Sequence, residues 1–94
     1  LGKIKVFKDY HLPEKIDFEI AVAKNTDPGW TPLLGLCKGL IIENGGILSH
    51  AAIVSRELGI PTIIGVKNAT KVLKSGQTLK INGSNGNIEI IKNI

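Results

Sequence analysis

The sequence contains no methionine, a single cysteine, a single arginine and only four aromatic residues among 94. Each shortage excludes something. Cys37 alone cannot build an internal disulfide framework, and with no Cys-x-x-Cys or Cys/His cluster there is no zinc pattern. No apolar run approaches the ~20 residues that span a bilayer, so no membrane partner is expected. The N-terminus lacks a basic-then-apolar leader, which makes a reducing cytoplasm the expected setting. Few aromatics mean few platforms for base stacking. The basic residues are all Lys except Arg56 and are scattered along the chain, so the net charge of +4 reads as solvated surface rather than a nucleic-acid footprint. The missing methionine, with the chain opening Leu1-Gly2-Lys3, is read as a domain taken from a longer polypeptide, although removal of an expression tag would look the same.

What is present suffices for one modest core. Hydrophobic residues make up 43% and charged residues 21%, against the low hydrophobicity and high net charge of disordered chains. Residues 1–94 are therefore expected to form one domain. Ile4 and Val6 alternate with Lys3 and Lys5, a period-two strand over Gly2–Phe7. Phe18–Ala23 reads as a more buried strand, and Asn25–Gly29 as turn chemistry. Thr31 can cap a short helix from Pro32 to about Cys37. Leu40–Ile42 and Thr62–Gly65 read as buried strands, and Asn68–Leu73 as a helix of one or two turns. Thr78–Ile81 and Asn87–Ile90 flank a Gly83–Gly86 turn, a hairpin pattern. Between them lies the clearest helix, Ser49–Leu58, with Ala51, Val54 and Leu58 on one face and Gly59 where a C′ glycine belongs. Strands alternating with short helices in the middle and strands at both ends give an α/β fold with a mixed sheet.

Two histidines are available for chemistry. His11 lies in a polar connector beside Pro13 and reads as an exposed loop residue. His50 stands in the first turn of the strongest helix, after a strand and the Gly45-Gly46 turn. The first four N–H groups of a helix lack internal acceptors, and they and the positive end of the dipole favour an anion such as phosphate. Gly45 and Gly46, without Cβ atoms, let an oxyanion approach the main chain. The same dipole favours a neutral, nucleophilic imidazole. From spacing alone two readings stand: a phosphate-contacting His50 with Gly45, Gly46 and Ser49 around the phosphate, or a plain capping segment with Ser49 as N-cap. Neither a Walker loop nor a GxGxxG fingerprint is present.

Gly45-Gly-Ile-Leu-Ser-His-Ala-Ala-Ile-Val-Ser-Arg-Glu-Leu-Gly-Ile-Pro-Thr-Ile-Ile-Gly65 closely resembles the phosphohistidine signature of the mobile domain of PEP-utilising enzymes. That family takes in phosphoenolpyruvate synthases, pyruvate phosphate dikinase, enzyme I of the sugar phosphotransferase system and rifampicin phosphotransferases. Val22-Ala, Thr26–Leu34, Gly76–Leu79 and Asn82-Gly…Gly86 extend the likeness over most of residues 18–91. The resemblance implies a swivelling β/β/α domain in which His50 carries phosphate from an ATP-binding domain to a barrel domain that binds pyruvate or phosphoenolpyruvate. It further implies that this domain binds no cofactor of its own, ATP and Mg belonging to the parent enzyme. The nearest likeness is to phosphoenolpyruvate synthases. An antibiotic phosphotransferase carrier and a non-catalytic interaction module with the same fold are the alternatives. Two departures stand out: Leu48 replaces a Thr common two residues before the histidine, and Asn82 replaces a common Asp.

Overall fold

In a computed structural model, residues 2–7, 17–25, 30–44, 50–82 and 86–92 are described. They form β1 (Gly2–Phe7), β2 (Ile20–Ala23), α1 (Thr31–Leu34), β3 (Gly39–Ile42), α2 (His50–Leu58), β4 (Thr62–Ile64), α3 (Ala69–Val72), β5 (Thr78–Asn82) and β6 (Asn87–Lys92). The strands make one mixed sheet among the described residues, in the order β4-β3-β2-β1-β5-β6. The first four in that order are parallel, and β5 and β6 are joined antiparallel.

Strand periodicity assigns side chains to two cores. On one face Phe7, Ala21, Ala23, Leu40 and Ile42 meet Leu33 and Leu34 of α1, with Val54 of α2 packed against them. On the other face Ile4, Ile20, Val22 and Ile41 meet Leu79 of β5 and Ala69 and Leu73, the latter just past the end of α3. Helices α1 and α2 thus cover one side of the parallel strands. The β5–β6 hairpin and α3 cover the other, which is the β/β/α layering. The two layers share β1. Gly2 and Lys3 pair with Leu79 and Thr78 of β5, whereas Ile4–Phe7 pair with Ile20–Ala23 of β2. A register shift in the β5–β6 ladder falls between Thr78 and Leu79, where β5 also takes up β1.

Because β2 and β3 are buried on both faces, they read as continuous apolar runs, Ile20-Ala-Val-Ala23 and Gly39-Leu-Ile-Ile42. Nine large side chains, among them Phe7, Leu33, Leu40 and Leu79, are almost wholly buried, each contributing about 1.5–3 kcal/mol. Phe7 stands edge-on to Phe18 and Trp30, at 5.6 and 6.3 Å between ring centres. These three aromatics are committed to the core.

Two expectations need correction. The first helix stops at Leu34, not Cys37, because Leu36 N–H and Cys37 N–H bond Leu33 O and Leu34 O in tighter turns that lead into β3. On α2, Leu58 is 46% exposed and Ser55 takes a buried place. The Ser55 hydroxyl donates to Ala52 O at 3.2 Å, which satisfies it without leaving the helix.

Candidate functional site

The parallel strands end together at one edge, at Phe7, Ala23, Ile42 and Ile64. In open α/β sheets this carboxyl edge is where ligands bind. The β2–β3 pairing runs past the strand ends here: Glu43 N–H donates to Ala23 O and Asn44 N–H to Lys24 O, both at 2.9 Å. The chain next enters the described structure at His50, the first residue of α2. The backbone N–H of His50 therefore stands at the positive end of a nine-residue helix that has no acidic residue in its first turn.

That helix is held firmly. Val54 packs into the core. At its far end Gly59 takes φ +72°, Ile60 N–H bonds Ser55 O at 3.1 Å and Gly59 N–H bonds Arg56 O at 3.3 Å, a Schellman closure at the expected glycine. Arg56 lies in the last turn, complementing the dipole.

Of the residues selected from sequence, His50 is brought to the carboxyl edge as the opening residue of α2. Gly45, Gly46, Leu48 and Ser49 lie outside the described residues, as does His11. Asn82 ends β5. Among the described residues no group of three His, Cys, Asp or Glu side chains is arranged to hold a metal, and no helix is long and apolar enough to cross a membrane. A cavity of about 630 Å³ lies between Ala52, Ser55 and Arg56 of α2, Thr62 and Ile64 of β4, and Ile81 of β5, touching the carboxyl edge only at Ile64. The edge, with its helix start, is the better chemical candidate, since the cavity gathers no titratable side chain other than Arg56.

One edge residue was missed from sequence. Glu43 Oε1 accepts from Thr70 N–H at 3.0 Å and from Thr70 Oγ1 at 2.8 Å. The backbone bond and the hydroxyl bond hold the Glu43 carboxyl below the usual glutamate range, helped by Lys24 and Lys71. Nothing in a lone Glu after an apolar run signals this, because its partner lies 27 residues away. Cys37, by contrast, is buried beneath α1, its thiol against Leu33 O and its pKa pushed up to about 11 by desolvation. It is a core residue.

The profile of the PEP-utilising enzyme, mobile domain family matches residues 16–86. The chain belongs to that family. Among relatives of the mobile domain, the rifampicin phosphotransferase of Bacillus cereus is 42% identical over 90 residues, covering 96% of this chain and 10% of the relative. The probable phosphoenolpyruvate synthase of Staphylothermus marinus is 49% identical over 88 residues, covering 90% of this chain and 11% of the relative. The chain thus spans about a tenth of the length of these relatives. An NMR solution structure of Enzyme I superposes with a TM-score of 0.65 at 28% identity, over 79% of this chain and 31% of that one. The mixed α/β mobile domain expected from sequence, of the kind found in phosphotransferases, is therefore present here.

Proposed function

We propose that His50 is a phosphocarrier, taking a phosphoryl group from ATP held by a separate nucleotide-binding domain and passing it to pyruvate on a third domain. The observation that carries this reading is the position of His50: the opening residue of α2, at the carboxyl edge, inside the segment that matches the family. A ring nitrogen of His50 forms the new N–P bond as the P–O bond to the donor breaks. In the second half-reaction an acceptor oxygen forms its bond to phosphorus as the N–P bond breaks, and the imidazole is regenerated. Splitting one transfer into two in this way is covalent catalysis. Gly45, Gly46 and Ser49 steady the phosphoryl group in this proposal, with the helix N–H groups. The domain binds no cofactor itself. In this proposal ATP and Mg belong to the nucleotide-binding domain. The parent enzyme works in the cytoplasm, where Cys37 stays reduced.

A second reading changes only the acceptor. Rifampicin phosphotransferases match over nearly the whole chain, so the final acceptor is a drug hydroxyl rather than pyruvate if the parent is of that type. Incubation with the cognate nucleotide-binding domain and labelled ATP tests the shared step. Acid-labile label on the wild type and none on His50→Ala supports the carrier, and equal labelling of both ends it. Chasing the labelled domain in the parent enzyme with pyruvate or with rifampicin then separates the two acceptors.

A further inference from the structure

The carrier reading leaves Glu43 without a task, yet its side chain at the carboxyl edge is held by two hydrogen bonds. Helix α3 begins abnormally. Its N-cap, Asn68, has φ +59° and makes no side-chain capping bond. An N-cap side chain ordinarily accepts from the second or third N–H of its helix. Here the second, Thr70 N–H, is taken by Glu43 Oε1, which also receives the Thr70 hydroxyl. The cap of α3 is thus supplied by the residue that follows β3. Glu43 N–H and Asn44 N–H are simultaneously bound to Ala23 O and Lys24 O. The point from which the chain sets out toward His50 is therefore held by its backbone to β2 and by its side chain to α3.

We propose that Glu43 is a positioning residue for transfer at His50, its carboxylate tethering the end of β3 to the first turn of α3 so that the start of α2 is presented in one place. The inference rests on the carrier reading for its consequence and on the Glu43–Thr70 contact for its mechanism. Lys24 and Lys71 lie close enough to favour the carboxylate form. Their charge is not the tether, which consists of two hydrogen bonds to one oxygen.

Potassium phosphoramidate tests the idea on the chain without any partner domain. The imidazole nitrogen forms its N–P bond as the N–P bond of the reagent breaks and ammonia leaves. Label on His50 is resolved from label on His11 by peptide mass spectrometry. With all variants folded at the assay temperature, Glu43→Ala should slow labelling of His50 about tenfold, as loss of orientation does. Glu43→Gln keeps an acceptor oxygen and should stay within about threefold of wild type, on the same argument. Thr70→Val, which loses only the hydroxyl, should fall between them. Labelling of Glu43→Ala at the wild-type rate, or Glu43→Gln as slow as Glu43→Ala, overturns the proposal. If the wild type takes no label on His50, the carrier reading fails and amide exchange decides the tether. Faster exchange in Glu43→Ala at both Thr70 and Val54, whose N–H bonds the His50 carbonyl in the helix, upholds it. Faster exchange at Thr70 alone refutes it.

Discussion

Gly39 of β3 lies under Ile81 of β5, so closely that a methyl group added at Gly39 would come within 2.9 Å of Ile81 Cδ1 and 3.2 Å of Ile20 Cγ1. In the sheet order β3 and β5 are separated by β2 and β1. The contact is therefore made across the layers, where the hairpin crosses over the parallel strands. Gly39→Ala should destabilise by about 1 kcal/mol, near the lower end for overpacking because Ile81 Cδ1 is the movable end of its side chain. Trimming that end should relieve the clash. In denaturant titrations, Gly39→Ala should cost less in an Ile81→Val background than alone, and strictly additive effects would show that the two residues do not meet.

Gly59 offers a cleaner test of backbone geometry. Nothing lies within 4 Å of a Cβ built there, so its φ of +72° is the sole obstacle to a side chain. Gly59→Ala should lose about 1 kcal/mol, the cost of the left-handed conformation. In a domain of this size that is a fall of roughly 4–8 °C in Tm. An unchanged melting curve would show that the Schellman closure does not hold α2.

Acid should loosen the Glu43 contact. The folded-state pKa of Glu43 lies below its ordinary value, with the Thr70 backbone bond first among the causes. A depressed carboxylate contributes stability above its unfolded pKa, near 4.3, and that contribution is lost as pH falls through the lower folded-state value. Urea unfolding between pH 6 and 3 should therefore show an acid decline that is shallower in Glu43→Gln than in wild type. Lys24 and Lys71 are the charges that bear on this carboxylate.

Alkali acts on the other perturbed group in the opposite sense. Burial raises the Cys37 thiol to about 11, so the folded state holds its proton where the unfolded chain has begun to release it. The linked stability is complete below the unfolded value near 8.5 and declines as pH rises toward 11. A thiol reagent at pH 8 should modify Cys37 only at the global unfolding rate. Immediate stoichiometric reaction of the native protein would contradict its burial beneath α1.

Much of this was legible in the residues themselves. The alternation of Gly2–Phe7 announced β1, and Gly59 marked the end of α2, because both signals are local and use backbone chemistry. The start of α2 was legible within one residue, since the helix read from Ser49 opens at His50. The pairing of β1 with β5 was not legible, since Gly2 and Leu79 carry no mark of each other across the chain. Glu43 was missed because its meaning lies in Thr70. The buried face of α2 was misread at Leu58 because periodicity reports which residues could face a core, not how far that core extends along the helix.

The division of β1 between two layers also bears on how the domain comes into being. Its first two residues wait for Leu79 and Thr78, which lie far along the chain beyond β4, whereas Ile4–Phe7 need only β2. The β2–β3–β4 region can begin to gather early. Closure of the second core must await β5. A domain wired in this way relies on contacts distant in sequence and should fold more slowly than a helical bundle of its size. During synthesis, Val22 and Ile41 keep an open apolar face until the hairpin arrives to cover it.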